Sequence, residues 1–301
     1  MQSGRNIYGH GAYTALKQAH VRAIFRKHLA IVETMARVRP RIDTYTYLEL
    51  YAGHGGGTWQ DEQRLDTLLS PLPYGSPILF LDEALDRTLP IRACFIEQDR
   101  RRSRALVDRI CEHLGYGWDA CVTREGHGAR WDVDGHQVHV HQGDCVREAP
   151  AWLQVLVDDA ARRGAWLRGL IFADPNGELA WQSMVDLVTI CPFLDVLLYY
   201  SANMRKRVRC CGKTYVHDQL LDLLPLVQKQ HWFVREPAGR KEWTFFFGSN
   251  MAGIDPIRRL GFWSTESERG RAIMRALNYT VKERAAMGIE GQLPLFGGGG
   301  D

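Results

Sequence analysis

The chain has 301 residues, of which 45% are hydrophobic, so it can bury the core of one large domain with additional segments. Its 38 Lys and Arg residues nearly balance 35 Asp and Glu residues. The chain is therefore not one of the strongly basic proteins whose net charge by itself indicates a nucleic-acid partner. No apolar run reaches the roughly 18 residues needed to cross a bilayer, and no signal peptide is recognisable, so we expect a cytoplasmic protein without a membrane partner. The seven cysteines form no CxxC pair, which predicts reduced thiols and no metal site.

The first predicted element is a long helix. Apolar residues recur at three- and four-residue steps from Tyr13 to Val38, and Arg39-Pro40 ends the pattern. Along the whole chain we expect four regions: an N-terminal helical extension over 1–40, a main domain over 41–250 with an insertion over 58–90, a C-terminal helical segment over 251–288 and a flexible tail over 289–301.

A glycine cluster follows the first predicted strand. The apolar and aromatic run from Tyr45 to Tyr51 stops in the stretch 53–57, four of whose five residues are glycine. The run predicts a buried strand, and the glycines predict a turn whose backbone a ligand can approach closely. This turn is either one side of a nucleotide-type pocket or simply a tight turn.

Two polar signals come next. Gly75-Ser76-Pro77 precedes an apolar stretch, which predicts a helix with Ser76 as its N-cap and Pro77 at its first position. The strand predicted over 92–97 ends in Glu97. A carboxylate at the end of a second strand can accept hydrogen bonds from both hydroxyls of a ribose, although a plain surface acid is also compatible with this position.

Two later strands also end in acids. The strand predicted over 138–141 leads into Asp144, and the strand over 167–173 leads into Asp174-Pro175-Asn176-Gly177. Residues 115–137 look like a hairpin or a loop.

The last predicted strands are 194–200 and an aromatic hairpin of 231–235 with 243–248. Because strands alternate with helices, we expect an α/β fold with a mostly parallel sheet. The carboxyl ends of such strands meet at one edge, so the acids should assemble a single site there.

The ordered motifs resemble a known family. Tyr-Leu-Glu-Leu-Tyr-Ala-Gly-His-Gly55, Gly-Ser-Pro77, Phe-Ile-Glu97, Gly-Asp144 and Ala-Asp-Pro-Asn-Gly177 are together similar to the three-Cys-motif partner proteins, within the class I S-adenosylmethionine-dependent methyltransferases. The resemblance covers roughly residues 10–285. It implies a Rossmann-like sheet of seven strands, mostly parallel, with a C-terminal antiparallel hairpin.

The resemblance also implies roles in binding S-adenosyl-L-methionine. The methionine end would be held by Glu49 and by the backbone of Ala52, Gly53 and Gly55, with Lys17 near its carboxylate. Ser76 would belong to a segment that closes over the cofactor, Glu97 would bind the ribose, and Asp144 would bind the adenine amino group.

The catalytic candidates are Asp174, Pro175 and Asn176. An exocyclic amine shares its lone pair with its ring, so a carboxylate and a carbonyl that accept its hydrogens make the nitrogen more nucleophilic. Amino-methyltransferases typically follow their acid with Pro-Pro and an aromatic residue that stacks on a flipped base, whereas this chain has Asn176 and Gly177. Trp181 could replace that ring or could belong to the core.

Because Asn176 and Gly177 replace the proline and the aromatic residue of amino-methyltransferases, two functions remain open. One is a methyltransferase acting on nucleic acid, linked to DNA metabolism, mobile elements or defence. The other is a catalytically silent subunit that binds S-adenosylmethionine and serves a three-Cys-motif protein. A nuclease is less compatible, because no carboxylates cluster as a two-metal site requires.

Two further segments indicate partners. Arg205, Lys206 and Arg207 lie in a basic segment that is either a track for phosphates or a solvated loop. The tail residues Gln292, Leu293, Leu295 and Phe296 resemble the peptide with which bacterial replication proteins bind the sliding clamp. The alternative for the tail is an apolar segment that folds back onto the domain.

Overall fold

The structure is a computed structural model, and it describes residues 14–56, 74–115, 122–125, 128–175, 179–201, 220–237, 243–251 and 254–278. These residues form one ten-stranded sheet with helices on both faces. The strands are β1 Tyr45–Glu49, β2 Ile91–Glu97, β3 Val122–Glu125, β4 Gly128–Val133, β5 His136–Gln142, β6 Arg168–Ala173, β7 Leu194–Ser201, β8 His231–Arg235, β9 Trp243–Ser249 and β10 Phe262–Ser264.

The helices lie mostly between successive strands. They are α1 Thr14–Val38, α2 Ser76–Ala84, α3 Arg100–Leu114, α4 Cys145–Arg163, α5 Trp181–Ile190, α6 Leu220–Leu223, α7 Asp255–Arg258 and α8 Glu268–Asn278. The predicted long first helix is confirmed.

The strand order is β10-β8-β9-β7-β6-β1-β2-β5-β4-β3. The central five strands, from β5 through β2, β1 and β6 to β7, are parallel. The chain first builds outward from β1 to β2 and β5, and then returns to place β6 on the other side of β1. The order therefore reverses between β1 and β6, which is where open α/β sheets bind ligands, just outside the carboxyl ends of the strands.

The expected seven-stranded, mostly parallel Rossmann-like sheet is wrong, although the fold is α/β. The sheet has ten strands and is mixed, with four parallel pairings and five antiparallel ones. The hairpin of β3 and β4 extends the sheet beyond β5, because Ala129 and Trp131 carry buried side chains that join the core. At the other edge β10 pairs with β8; its three residues are too few to produce a periodic pattern.

The two faces of β1 enter different cores. Tyr45 and Tyr47 pack toward α1 and α2, whereas Leu48 packs toward α4 and α5. Phe25 of α1 contacts Tyr47 edge to face, and Phe80 of α2 stacks on Tyr47 with ring centroids 3.7 Å apart. Each such buried ring contributes roughly 1.5–3 kcal/mol. This packing holds α1 and α2 against β1.

Candidate functional site

The glycine turn after β1 has one open and one crowded position. Gly53 and Gly55 have φ of 65° and 74°, the left-handed region that glycine adopts most readily. A Cβ at Gly53 would meet nothing within 4 Å, whereas a Cβ at Gly55 would lie 2.6 Å from Leu106 Cδ1. The backbone at Gly53 is thus open to a ligand, and Gly55 allows α3 to pack against the turn.

Glu97 links this turn to the start of α3. Its Oε2 accepts a hydrogen bond from the Gly53 N–H at 2.8 Å, and its Oε1 accepts one from the Asp99 N–H at 2.8 Å. The neighbouring Ala52 N–H donates to the Ile96 carbonyl at 3.0 Å. Each carboxylate oxygen has further acceptor capacity beyond these bonds. Glu97 therefore holds the turn in place while it can still accept hydrogen bonds from a ligand.

Glu49 is a buried carboxyl group at the end of β1. It accepts hydrogen bonds from Ser76 Oγ at 2.5 Å and from the Tyr47 hydroxyl at 2.8 Å. Burial raises its pKa to about 8, although both hydroxyls oppose the shift. The prediction of Ser76 as a helix cap is wrong: Gly75 caps α2, and the Ser76 hydroxyl donates to Glu49 instead. Glu49 is thus a group that exchanges a proton near neutral pH.

Lys17 and Asp174 form an ion pair beside Glu49. Lys17 Nζ lies 2.7 Å from Asp174 Oδ2 and 4.6 Å from the centre of the Tyr199 ring. Burial lowers the pKa of Lys17, but the charge and hydrogen bond of Asp174 outweigh burial and raise it. We call Lys17, Glu49, Ser76 and Asp174 the strand-end cluster. It joins four predicted site residues from α1, β1, α2 and the end of β6.

Other predicted residues lie around this cluster with different roles. Asp144 is exposed and caps α4 by accepting from the Val146 N–H at 3.0 Å. Trp181 is the first residue of α5 and is half-buried against the core on that face. Pro175 is buried. Sequence reasoning missed Tyr47 and Tyr199, although Tyr47 stands two residues before Glu49 and therefore shares its face of β1.

Several predictions lie outside the described residues. These are Asn176, the basic residues Arg205, Lys206 and Arg207, and the tail residues Gln292, Leu293, Leu295 and Phe296. Sliding-clamp binding by the tail stays a prediction. A pull-down with a chain lacking residues 291–301 tests it, and clamp binding that survives the deletion would contradict it.

The described ranges contain neither a candidate metal centre nor a helix that could span a membrane. No group of three or more His, Cys, Asp and Glu side chains there has an arrangement that could hold a metal ion. None of the helices in those ranges is both long enough and apolar enough to cross a bilayer.

Comparisons with known proteins give little further information. No protein-family model matches the chain, and no curated protein matches it. A search of solved structures finds a crystal structure of protein LPL1258 from Legionella pneumophila str. Philadelphia 1, described by the family model DUF519. The two share 15% sequence identity with a TM-score of 0.43, and the match covers 78% of this chain and 88% of that one. We draw no functional assignment from so distant a likeness.

Proposed function

We propose that the chain is a cytoplasmic S-adenosyl-L-methionine-dependent methyltransferase that acts on an exocyclic amino nitrogen of a nucleic-acid base. The observation that carries this proposal is the convergence of polar groups from α1, α2, β1, β2 and β6 at the point where the strand order reverses. Functional sites are where burial and charge neighbours shift pKa values, and Glu49 and Lys17 both have shifted pKa values here.

The groups at this edge fit the cofactor. The open backbone at Gly53 leaves room for a ligand, and the Glu97 carboxylate can accept hydrogen bonds from ribose hydroxyls. The Lys17 ammonium suits a ligand carboxylate, and Glu49 suits a ligand ammonium once it loses its proton. Asp144 lies at the next strand end as the candidate for the adenine amino group. S-adenosyl-L-methionine itself supplies an activated methyl group when bound.

Asp174 is the residue that would act on the substrate. Its carboxylate can accept a hydrogen bond from the target amine, which orients the nitrogen and increases the electron density on it. In the structure Asp174 Oδ2 accepts from Lys17 Nζ. Lys17 must therefore share or release this carboxylate when the amine binds. Aligning two reactants in this way is the main contribution that a protein can make to a transfer from an activated donor.

A methyl-labelled cofactor tests the proposal. The full chain is incubated with it and with mixed RNA and DNA, and label in either nucleic acid is counted. We expect incorporation by the wild type and its loss in Asp174→Ala, with cofactor affinity little changed. Failure of the wild type to label RNA and DNA under conditions where the cofactor binds would contradict the proposal.

One observation favours the alternative of a catalytically silent subunit of a three-Cys-motif protein. The carboxylate that the target amine needs is already neutralised by Lys17 at 2.7 Å. A silent subunit would bind the cofactor with normal affinity and label no nucleic acid, alone or with its partner. Incorporation that disappears in Asp174→Ala would exclude this alternative.

A further inference from the structure

The first turns of α3 carry an unusual concentration of exposed arginines. Arg100, Arg101 and Arg104 are exposed, and helical spacing places Arg104 one turn from the other two, so the three form one patch. We call these three residues the arginine rim. In the structure as described, no ion pair joins any of them to a carboxylate.

Several other arginines among the described residues form ion pairs. Arg22 and Arg26 both bind Glu83, Arg87 binds Glu33, and Arg92 binds Asp159. The acids closest to the arginine rim in sequence are already engaged, because Glu97 accepts from backbone N–H groups and Asp99 accepts from the Arg101 and Arg102 N–H groups.

The arginine rim also opposes the electrostatics of its own helix. The N-terminus of a helix carries partial positive charge and favours acids; Asp99 caps α3, but the first turn after this cap has no acid. Like charges one turn apart repel each other as well. Hydrogen bonds from the Arg102 and Arg101 N–H groups, together with the charges of these two arginines, lower the pKa of Asp99, but no ion pair is formed by the rim guanidinium groups among the described residues. An anionic ligand would be attracted by these three guanidinium groups.

The arginine rim and the strand-end cluster both lie at the carboxyl ends of the central parallel strands. α3 begins three residues after Glu97, whose carboxylate bonds the Gly53 turn. From β6, which precedes Asp174, to β2 is two strand spacings, roughly 10 Å. The Gly143 N–H bonds the Glu97 carbonyl at 3.1 Å, which brings the start of α4 and its exposed Arg147 to the same border.

We propose that the arginine rim binds the phosphodiester backbone of the nucleic acid whose base enters the strand-end cluster. This inference rests on the proposed function and names the surface that holds its substrate. Guanidinium groups match phosphate oxygens in geometry and charge, and a repeated backbone supplies several phosphates to several arginines at once. A base bound near Asp174 has flanking phosphates that can reach a patch at the end of β2, two strands away.

The test measures binding of fluorescein-labelled single-stranded RNA and of DNA of the same sequence, over a series of salt concentrations. The variant is the triple change Arg100→Gln, Arg101→Gln and Arg104→Gln in the full chain. Each phosphate contact on a single strand contributes about 0.7 to the slope of log affinity against log salt, so we expect a slope smaller by about 2. Affinity at physiological salt should fall about 10- to 100-fold.

The control has the same change in charge at the opposite edge of the sheet. Arg37→Gln, Arg39→Gln and Arg162→Gln alter exposed arginines near the ends of α1 and α4. Oligonucleotide affinity should change less than about threefold in this variant. The proposal would be overturned if the rim variant bound oligonucleotides as tightly as the wild type. It would also be overturned if the rim variant lost no more affinity than the control variant. The proposal would likewise be overturned if the rim variant lost affinity for phosphatidylserine vesicles but not for oligonucleotides.

Thermal unfolding and cofactor binding separate this proposal from a structural role. Because the three rim side chains are exposed, the rim variant should melt close to the wild-type temperature, and it should bind S-adenosylhomocysteine as the wild type does. A lower melting temperature with lost cofactor binding would show that the arginines stabilise the fold and would overturn the proposal. If the rim variant keeps both oligonucleotide binding and methyl transfer, the phosphate-binding role of the rim is refuted and the proposed function is not. If binding depends on the rim but the wild type transfers no methyl group, the proposed function is refuted and the role of the rim is not.

Discussion

Two polar clusters connect α1 to the sheet, and they differ in what surrounds them. In the interior, His28 Nδ1 lies 2.7 Å from the Tyr45 hydroxyl and His28 Nε2 lies 2.9 Å from Asp195 Oδ2. We call these three residues the interior cluster; none is more than 1% exposed. The strand-end cluster begins 11 residues earlier on α1, roughly 16 Å along the helix axis. Its Lys17 and Asp174 side chains are 28% and 18% exposed, whereas its Glu49 is buried like the interior residues.

The difference separates a structural network from a candidate site. In the interior cluster both ring nitrogens of His28 have a partner, and all three side chains are buried from solvent. In the strand-end cluster the Lys17 ammonium has three donors and gives one to Asp174, and Glu49 has a pKa near 8. Groups that are held in place but have spare capacity are suited to binding.

The largest expected effect comes from breaking the interior cluster. His28→Ala leaves Asp195 buried without its imidazole and removes the partner of Tyr45, which should lower the free energy of unfolding by about 3–5 kcal/mol. Urea unfolding measures this loss. The matched control is His113→Ala, because His113 and Asp82 form a similar pair at 2.6 Å with about a fifth of each side chain exposed. Equal losses in the two variants would contradict the distinction between buried and exposed pairs.

The next largest loss of stability should come from substituting Gly55, and the same substitution at Gly53 should cost less. Gly55→Ala combines positive φ with a Cβ 2.6 Å from Leu106 and should cost about 2–3 kcal/mol of stability. Gly53→Ala has positive φ and open space and should cost about 1 kcal/mol, yet it should weaken binding of the proposed cofactor, because its methyl group would stand where that ligand is proposed to approach. Thermal melts and cofactor titration of both variants test this pair; cofactor binding unaffected by Gly53→Ala would argue against a ligand there.

Glu49 gives the strand-end cluster a characteristic pH dependence. Its pKa rises from an ordinary 4.5 to about 8, so between these values the folded protein holds a proton that the unfolded chain releases. Stability from this group is complete below about pH 4.5 and falls by up to about 1.4 kcal/mol per pH unit as pH rises toward 8. Glu49→Gln should remove this slope in urea unfolding measured at several pH values.

The control for Glu49 is Glu83→Gln, which should change the pH dependence in the opposite direction. Hydrogen bonds and charges from Arg26 and Arg22 outweigh burial and lower the pKa of Glu83. The stability that Glu83 contributes is therefore present above its ordinary pKa and is lost only as pH falls below that value. A wild-type slope that persists in Glu49→Gln between pH 5 and 8 would contradict the assignment.

The smallest stability change should come from Lys17→Met. Because the ion pair with Asp174 is partly exposed, its loss should cost no more than about 1 kcal/mol. Cofactor affinity should fall clearly, since the ammonium is the group proposed for the ligand carboxylate. Lys27→Met on the same helix is the control and should leave affinity unchanged. A destabilisation as large as that of His28→Ala would make Lys17 structural.

The sequence predicts the members of the site better than their contacts. Glu97 and Asp174 are proposed because each stands at the end of a short apolar strand, and strand ends converge in a parallel core, whereas Glu49 is proposed through the family resemblance. The contacts of Lys17 with Asp174 and of Ser76 with Glu49 span 157 and 27 residues, and no local pattern encodes them. The predicted number of strands is wrong for a related reason. β10 has only three residues, so it is defined by its pairing with β8 and not by a periodic pattern of its own.

The most direct test of the central claim is a calorimetric titration of the full chain with S-adenosylhomocysteine, the product form of the cofactor. We predict saturable one-to-one binding, weakened at least about tenfold (about 1.4 kcal/mol) by Glu97→Ala. Glu112→Ala, which removes an exposed acid from α3, should bind as the wild type does. Absence of saturable binding at millimolar ligand, or equal affinity of the wild type and a folded Glu97→Ala variant, would contradict the account.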